Sequence, residues 1–154
     1  DAGYTQTASV LDETHLAWDT HSNALADQST RFDSLFGDLK IILDEAVSLG
    51  IDDQLLVVVK SEFGRDSRVS VNSKDHWPYS SCLIWNKTIT GGKTVGLTDE
   101  YLRGKKLDPY LQTDTGTNSV LVTHDSIFAA LFQSFGVSAS LLWGEDLVPT
   151  NFIL

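Results

Sequence analysis

Residues able to act as acids, bases or anion binders follow one apolar run. The run, Leu55–Val59, is continuous and mostly β-branched, which is typical of a strand buried on both faces of a mostly parallel sheet. Glu62 and Arg65 come directly after it, and Asp75-His76 follows ten residues later. In open α/β sheets the chemistry lies just outside the carboxyl ends of the strands. These residues therefore mark the expected site.

A second acid–histidine pair, Asp19 and His21, stands directly before a long helical pattern. Such a segment can place two metal ligands in one cleft. No sequence rule makes this spacing diagnostic, so a surface turn that meets only water is the alternative. Glu62 also has an alternative, an ion pair with Arg65. A lone histidine is more often structural, but a second one at a separate strand end favours a site shared by His21 and His76.

Other reactive side chains have simpler explanations. His15 shows no comparable context, and His124 lies in a helix-capping region, where we expect a structural role. Cys82 belongs to an apolar strand predicted over 81–85 and should behave as a small buried hydrophobe. The sequence contains no nucleophile elbow, phosphate-binding glycine loop or paired CxxC motif.

A long helix and a core strand must position the candidate residues. Apolar residues at three-and-four spacing predict a helix over 25–49, with Ser22 or Asn23 as N-cap and Gly50 as the left-handed terminator. Helix, tight turn and core strand form half of a parallel α/β unit. We expect 87–107 to be a long surface loop. A second helix is predicted after Thr123 or Asp125, and it closes at Gly136.

Bulk composition limits the partners. The 154 residues suffice for one globular domain, and the net charge of −10 argues against nucleic acid or an anionic membrane surface. A small anionic substrate is compatible, because a bound metal ion can reverse the local field. No apolar run is long enough to span a bilayer. The chain begins at Asp1 and holds no methionine, so we expect a piece of a longer protein.

Three motifs in this order resemble DUF1501, a sulfatase-like family of unknown function. They are WDTH at 18–21, SEFGR at 61–65 and DHW at 75–77. The family is similar to the alkaline phosphatase and sulfatase superfamily, which implies a three-layer α/β/α sandwich and metal-dependent hydrolysis of phosphate or sulfate esters. By this resemblance, residues 1–154 form a single unit, the carboxy-terminal portion of such a domain. It also implies export to the periplasm or the cell exterior.

The resemblance assigns roles to individual residues. Asp19 and His21 resemble the acid and histidine that hold one metal. Glu62 stands where the superfamily has the Asp of an Asp-His-Gly motif, and His76 matches the histidine that completes the first metal site. Arg65 would clamp the tetrahedral anion. The metal would be zinc, manganese or calcium.

Two departures from the superfamily pattern bear on the expected function: Phe63 occupies the position of a metal-binding histidine, and Asp19 and His21 are closer in sequence than the superfamily's usual acid and histidine. In addition, the nucleophile and another Asp would come from an amino-terminal half outside this chain. We therefore expect a hydrolase of small anionic esters of which this chain supplies half the site. Alone, it should bind metal weakly or not at all. The alternative is a non-catalytic binding or structural protein with the same fold. The chain either folds alone or forms a homo-oligomer that completes the sheet.

Overall fold

The computed structural model describes residues 7–10, 18–66, 68, 74–108 and 119–138. His15 therefore lies outside the described residues. This part of the chain forms two helices and four short strands, which makes it mixed α/β. In order, they are α1 Ala24–Leu49, β1 Val57–Lys60, β2 Gly64–Arg65, β3 His76–Trp77, β4 Cys82–Trp85 and α2 His124–Ser134.

Helix α1 confirms the long helix predicted from the apolar periodicity. Gly50 ends it with a φ of 66°, and its N–H donates to the carbonyls of Ala46 and Val47. Glycine adopts this left-handed conformation without a Cβ clash, as expected of a helix C-cap. The amino terminus differs from the prediction, because Asn23 takes a left-handed conformation and its side chain makes no capping hydrogen bond.

The apolar stripe of α1 is only partly covered by the described residues. Leu35, Leu39 and Leu43 are half-buried, and Ala46 is the one fully buried residue of the helix. Phe32 and Phe36 are about half exposed. The stripe therefore has a covered centre and an exposed apolar flank.

The strands form two separate antiparallel pairs, whereas the sequence predicted a mostly parallel sheet. In the first pair Val57 lies opposite Trp85, and in the second Arg65 lies opposite His76. The apolar run at 55–59 becomes a strand only from Val57, and β1 is half-buried rather than enclosed on both faces. The prediction was wrong here because an apolar run specifies burial but not the direction of the neighbouring strand.

The described core lies between α2 and the β1–β4 pair. Ala130 and Leu131 are buried, and partly buried apolar residues pack against them: Leu56, Val58, Ile84, Ile89, Ile127 and Phe128. The sequence led us to expect α1 on this strand, but this cluster contains no residue of α1. Helix α2 starts as predicted at Thr123, whose side chain forms a reciprocal capping box with Ser126.

The loop predicted at 87–107 is held by backbone pairing in its second half. Leu107 is only 1% exposed and forms an isolated bridge with Val120 through backbone hydrogen bonds of 2.8 and 2.9 Å. A second bridge joins Thr98 to Gly104. Neither described helix combines the length and apolar character needed to cross a membrane.

Truncating the core should test this packing. We expect Leu131→Ala to lower the free energy of unfolding by about 2–5 kcal/mol, because it leaves a cavity between α2 and the strands. Leu25→Ala, at an 85% exposed position, should change it by no more than about 0.5 kcal/mol. Urea unfolding followed by circular dichroism measures both. Equal losses in the two variants would contradict the assigned core.

Candidate metal centre

The carboxylate of Asp19 is the meeting point of three other side chains. Its Oδ1 lies 2.8 Å from Nε2 of His76 and 2.9 Å from Nε2 of His21. The Arg65 guanidinium donates a third hydrogen bond to the same oxygen at 2.9 Å. One ligand atom each from Asp19, His21 and His76 lies within 4.8 Å of the other two, and all three residues are exposed. The structure therefore brings together three of the four predicted metal ligands.

Helix α1 fixes the segment that carries Asp19. The Thr20 N–H donates to the Trp18 carbonyl at 2.9 Å, which closes a tight turn around Asp19. Gln28 of α1 donates to both the Trp18 carbonyl and the Thr20 hydroxyl, at 3.0 and 2.9 Å. The Trp18 ring also packs edge-on against Phe32 at 5.2 Å between centroids. Asp19 thus projects from a turn that is anchored on both sides.

The β2–β3 pair carries His76. Arg65 lies directly opposite His76, so their side chains share one face of the pair. Phe63, two residues before Arg65, stacks on the His76 imidazole with 3.9 Å between ring centroids and 19° between planes. Trp77 is anchored separately, because its indole N–H donates to the Leu102 carbonyl at 2.8 Å.

Arg65 connects the pair to the Asp19 turn. Its side chain is only 18% exposed. Besides Asp19, it donates to the carbonyls of Lys74 and Trp18, at 3.1 and 3.2 Å. The ion pair of Arg65 is therefore with Asp19, and the alternative pairing with Glu62 is not the one formed.

Glu62 stands apart from this cluster. Its side chain is exposed, and its carboxylate is not part of the three-residue group. The reason is topological: Glu62 lies between β1 and β2, which belong to different sheets, so the end of β1 does not aim it at Asp19. Asp75 takes a local role, since its carboxylate accepts the His76 N–H at 2.8 Å.

Electrostatics keep Asp19 ionised. The hydrogen bond from His76, followed by that from Arg65, lowers the pKa of Asp19 from 3.8 to about 2. Hydrogen bonds to a carboxylate favour its charged form. Although the chain is acidic as a whole, this carboxylate is surrounded by groups that stabilise its negative charge.

The cluster fits a divalent metal ion. Zinc binds imidazole nitrogen and carboxylate oxygen at about 2.0–2.1 Å, which places tetrahedral ligand atoms roughly 3.4 Å apart. The Asp19–histidine distances are slightly shorter than this, and small rotations of the exposed side chains can open them. Two imidazoles and one carboxylate suit zinc or manganese. Calcium prefers oxygen ligands alone and fits this set poorly.

Comparison with known proteins identifies the family. The model of the family described as "Protein of unknown function (DUF1501)" matches residues 6–131. The chain belongs to the DUF1501 family. This confirms the resemblance of its three motifs at the family level, and the matched segment contains Asp19, His21, Arg65 and His76. Neither a curated protein nor a solved structure matches the chain.

Sequence reasoning missed two residues that hold the cluster of Asp19, His21 and His76 in place. Gln28, which holds the Asp19 turn, is polar but lies seven residues before Leu35, on the covered face of α1. That position was the available signal. The sequence identifies Phe63 only as a replacement of a metal ligand, and nothing in the local sequence indicates that its ring stacks on His76.

The glycine of the SEFGR motif is required by close packing in this DUF1501 chain. A Cβ at Gly64 would overlap the backbone carbonyl oxygen of Tyr79, whereas one at Gly37 in α1 would meet nothing within 4 Å. We expect Gly64→Ala to destabilise the fold by about 1–3 kcal/mol through overpacking. Gly37→Ala should instead stabilise it by about 0.5–1 kcal/mol, because alanine favours a helix. Thermal unfolding distinguishes them, and equal shifts of the same sign would contradict the assignment.

The Asp19 carboxyl should titrate abnormally. Because its pKa is lowered in the folded state, its hydrogen bonds contribute stability above about pH 3.8, and this contribution is lost as the pH falls through about 2. Carbon-13 NMR of the labelled carboxyl measures the pKa directly. In His76→Ala the pKa should rise toward 3.8, while His124→Ala should leave it unchanged. An unshifted pKa in the unmodified chain would show that the cluster does not form in solution.

Proposed function

We propose that this chain supplies part of the metal centre of a hydrolase that acts on phosphate or sulfate esters. The convergence of Asp19, His21 and His76 is the observation that carries the proposal. The reaction class comes from the likeness of the WDTH, SEFGR and DHW motifs to the alkaline phosphatase and sulfatase superfamily. In this proposal the three-layer α/β/α sandwich is the complete architecture, and residues 1–154 form its carboxy-terminal portion.

The three side chains would hold one zinc or manganese ion. When bound, the ion would polarise the ester oxygen and help to activate the nucleophile. Three protein ligands are the usual number in catalytic zinc sites and leave one position for substrate or water. The exposure of all three residues gives a small anionic ester access to that position.

Arg65 has two tasks in this proposal. Its hydrogen bonds hold Asp19 in place, as expected for a partner of a ligating carboxylate. A guanidinium carries five N–H donors. Among the described contacts it donates three hydrogen bonds, and in this proposal a further N–H would meet an anion oxygen. Glu62 would have to move toward the cluster to serve as a fourth ligand.

The remaining parts of the proposal concern the protein beyond this cluster. The nucleophile would come from outside residues 1–154, since the resemblance places it in an amino-terminal half. Export to the periplasm or the cell exterior follows from the same resemblance. Both are open to direct test in the full-length protein.

A binding protein without turnover is the second candidate. Phe63 favours it, because it replaces a superfamily ligand and its ring covers one face of His76. Such a protein would keep the polar cluster for holding an ion or an anion. A hydrolase needs in addition a nucleophile close to the ion.

Calorimetric titration tests the metal centre. We expect zinc and manganese to bind with micromolar or weaker affinity, because only three ligands are assembled. Binding should disappear in His76→Ala, which removes one of them, and persist in His124→Ala, which removes an exposed histidine outside the cluster. The chain alone should not hydrolyse an aryl phosphate or an aryl sulfate.

Three outcomes would contradict this proposal. Absence of binding for both metals would remove the metal centre. Binding that survives in His76→Ala would place the ion elsewhere. Robust turnover by the chain alone would show that its site is complete rather than partial.

A further inference from the structure

We infer that Phe63 is a positioning residue that fixes the imidazole plane of His76 and so keeps Nε2 directed at the metal centre. The inference rests on the proposed function, because the binding that Phe63 would strengthen is that of the proposed metal ion. In this role Phe63 does not bind the metal, as the superfamily's histidine at this position would, but orients a residue that does.

The contact geometry supports this role. The rings of Phe63 and His76 lie 3.9 Å apart between centroids and only 19° from parallel. At this separation rotation of the imidazole about its Cβ–Cγ bond would drive one edge into the Phe63 ring. The stack thus restricts the rotation that would turn Nε2 away from Asp19, which it now meets at 2.8 Å.

Phe63 is itself held by its surroundings. Its ring is half-buried, whereas His76 is exposed, so it forms the more constrained partner of the stack. The guanidinium of Arg65 lies 5.1 Å from the Phe63 ring centroid, within the range of a cation–π contact. Arg65 is in turn bonded to Asp19. Ring, guanidinium and carboxylate therefore constrain one another around the imidazole.

The second histidine lies beside the first. His21 lies with its ring centroid 5.3 Å from that of His76 at an angle of 32°. The His76 ring therefore lies beside both Phe63 and His21, and Phe63 is the most buried of the three. Ordering exposed side chains costs conformational entropy on binding, and side chains that are partly ordered beforehand reduce that cost.

The inference predicts a specific change in metal affinity. Phe63→Leu keeps an apolar side chain but removes the flat ring, and we expect it to weaken zinc binding about 10-fold or more, the size seen for residues that orient ligands. Phe63→Tyr retains the ring, so its zinc affinity should stay within about threefold of that of the unmodified chain, since orienting groups act through geometry. Phe135→Leu, the same change at a 64% exposed position at the end of α2, is the matched control and should have no effect.

Two further readouts separate positioning from general stability. Unfolding temperatures identify any variant that binds poorly because it is unfolded. NMR of the metal-free chain, with cross-relaxation between the Phe63 and His76 rings and the mobility of the imidazole, reports orientation without any ion. We expect the imidazole to become mobile in Phe63→Leu and to stay ordered in Phe63→Tyr, with both variants folded.

The outcomes distinguish this inference from the proposed function. If zinc binds the unmodified chain and folded Phe63→Leu equally well, the inference is wrong and the metal centre stands. If zinc binds neither the unmodified chain nor Phe63→Leu, the proposed metal centre is wrong. The mobility of the imidazole in the metal-free variants then decides whether Phe63 positions His76. An imidazole equally mobile in all variants would overturn the inference in either case.

Discussion

The hydrogen bonds to one carboxylate oxygen of Asp19 hold the described site together. They join residues that are 46 and 57 positions apart in the chain, so they exist only when the Asp19 turn and the β2–β3 pair are in place. The turn depends on Gln28 of α1, and the pair depends on the close approach that Gly64 permits. Loss of either support would separate Asp19 from His76.

The same hydrogen bonds determine what the cluster must give up when it binds an ion. A histidine that donates its Nε2 proton to Asp19 must offer a lone pair there to bind a metal, so an ion would replace two hydrogen bonds of the carboxylate. The bond from Arg65 can persist, because ligating carboxylates are commonly hydrogen-bonded by a second residue. With an ion bound, a protein of net charge −10 would hold a local centre of the opposite sign, as the proposed anionic ester would need.

Helix α1 is where the observed fold can be compared with the proposed three-layer architecture. Its apolar flank, with Phe32 and Phe36, is about half exposed among the described residues, although Phe32 also packs against Trp18 beside the Asp19 turn. In a three-layer sandwich such a flank would pack against a sheet. The antiparallel β1–β4 pair is covered by α2 instead, so α1 serves this site mainly as the anchor of the turn.

Sequence by itself determined the features that depend on near neighbours. The span of α1, its end at Gly50 and the cap of α2 at Thr123 follow from periodicity and from backbone groups within a few residues. The spacing of the motifs also indicated Asp19, His21 and His76 as candidates. Only the tertiary structure decided the strand directions, the pairing of Arg65 with Asp19 rather than Glu62, and the stacking of Phe63 on His76. These are contacts between segments whose relative placement is set by packing and long-range hydrogen bonds, and no local pattern encodes which partner each side chain meets.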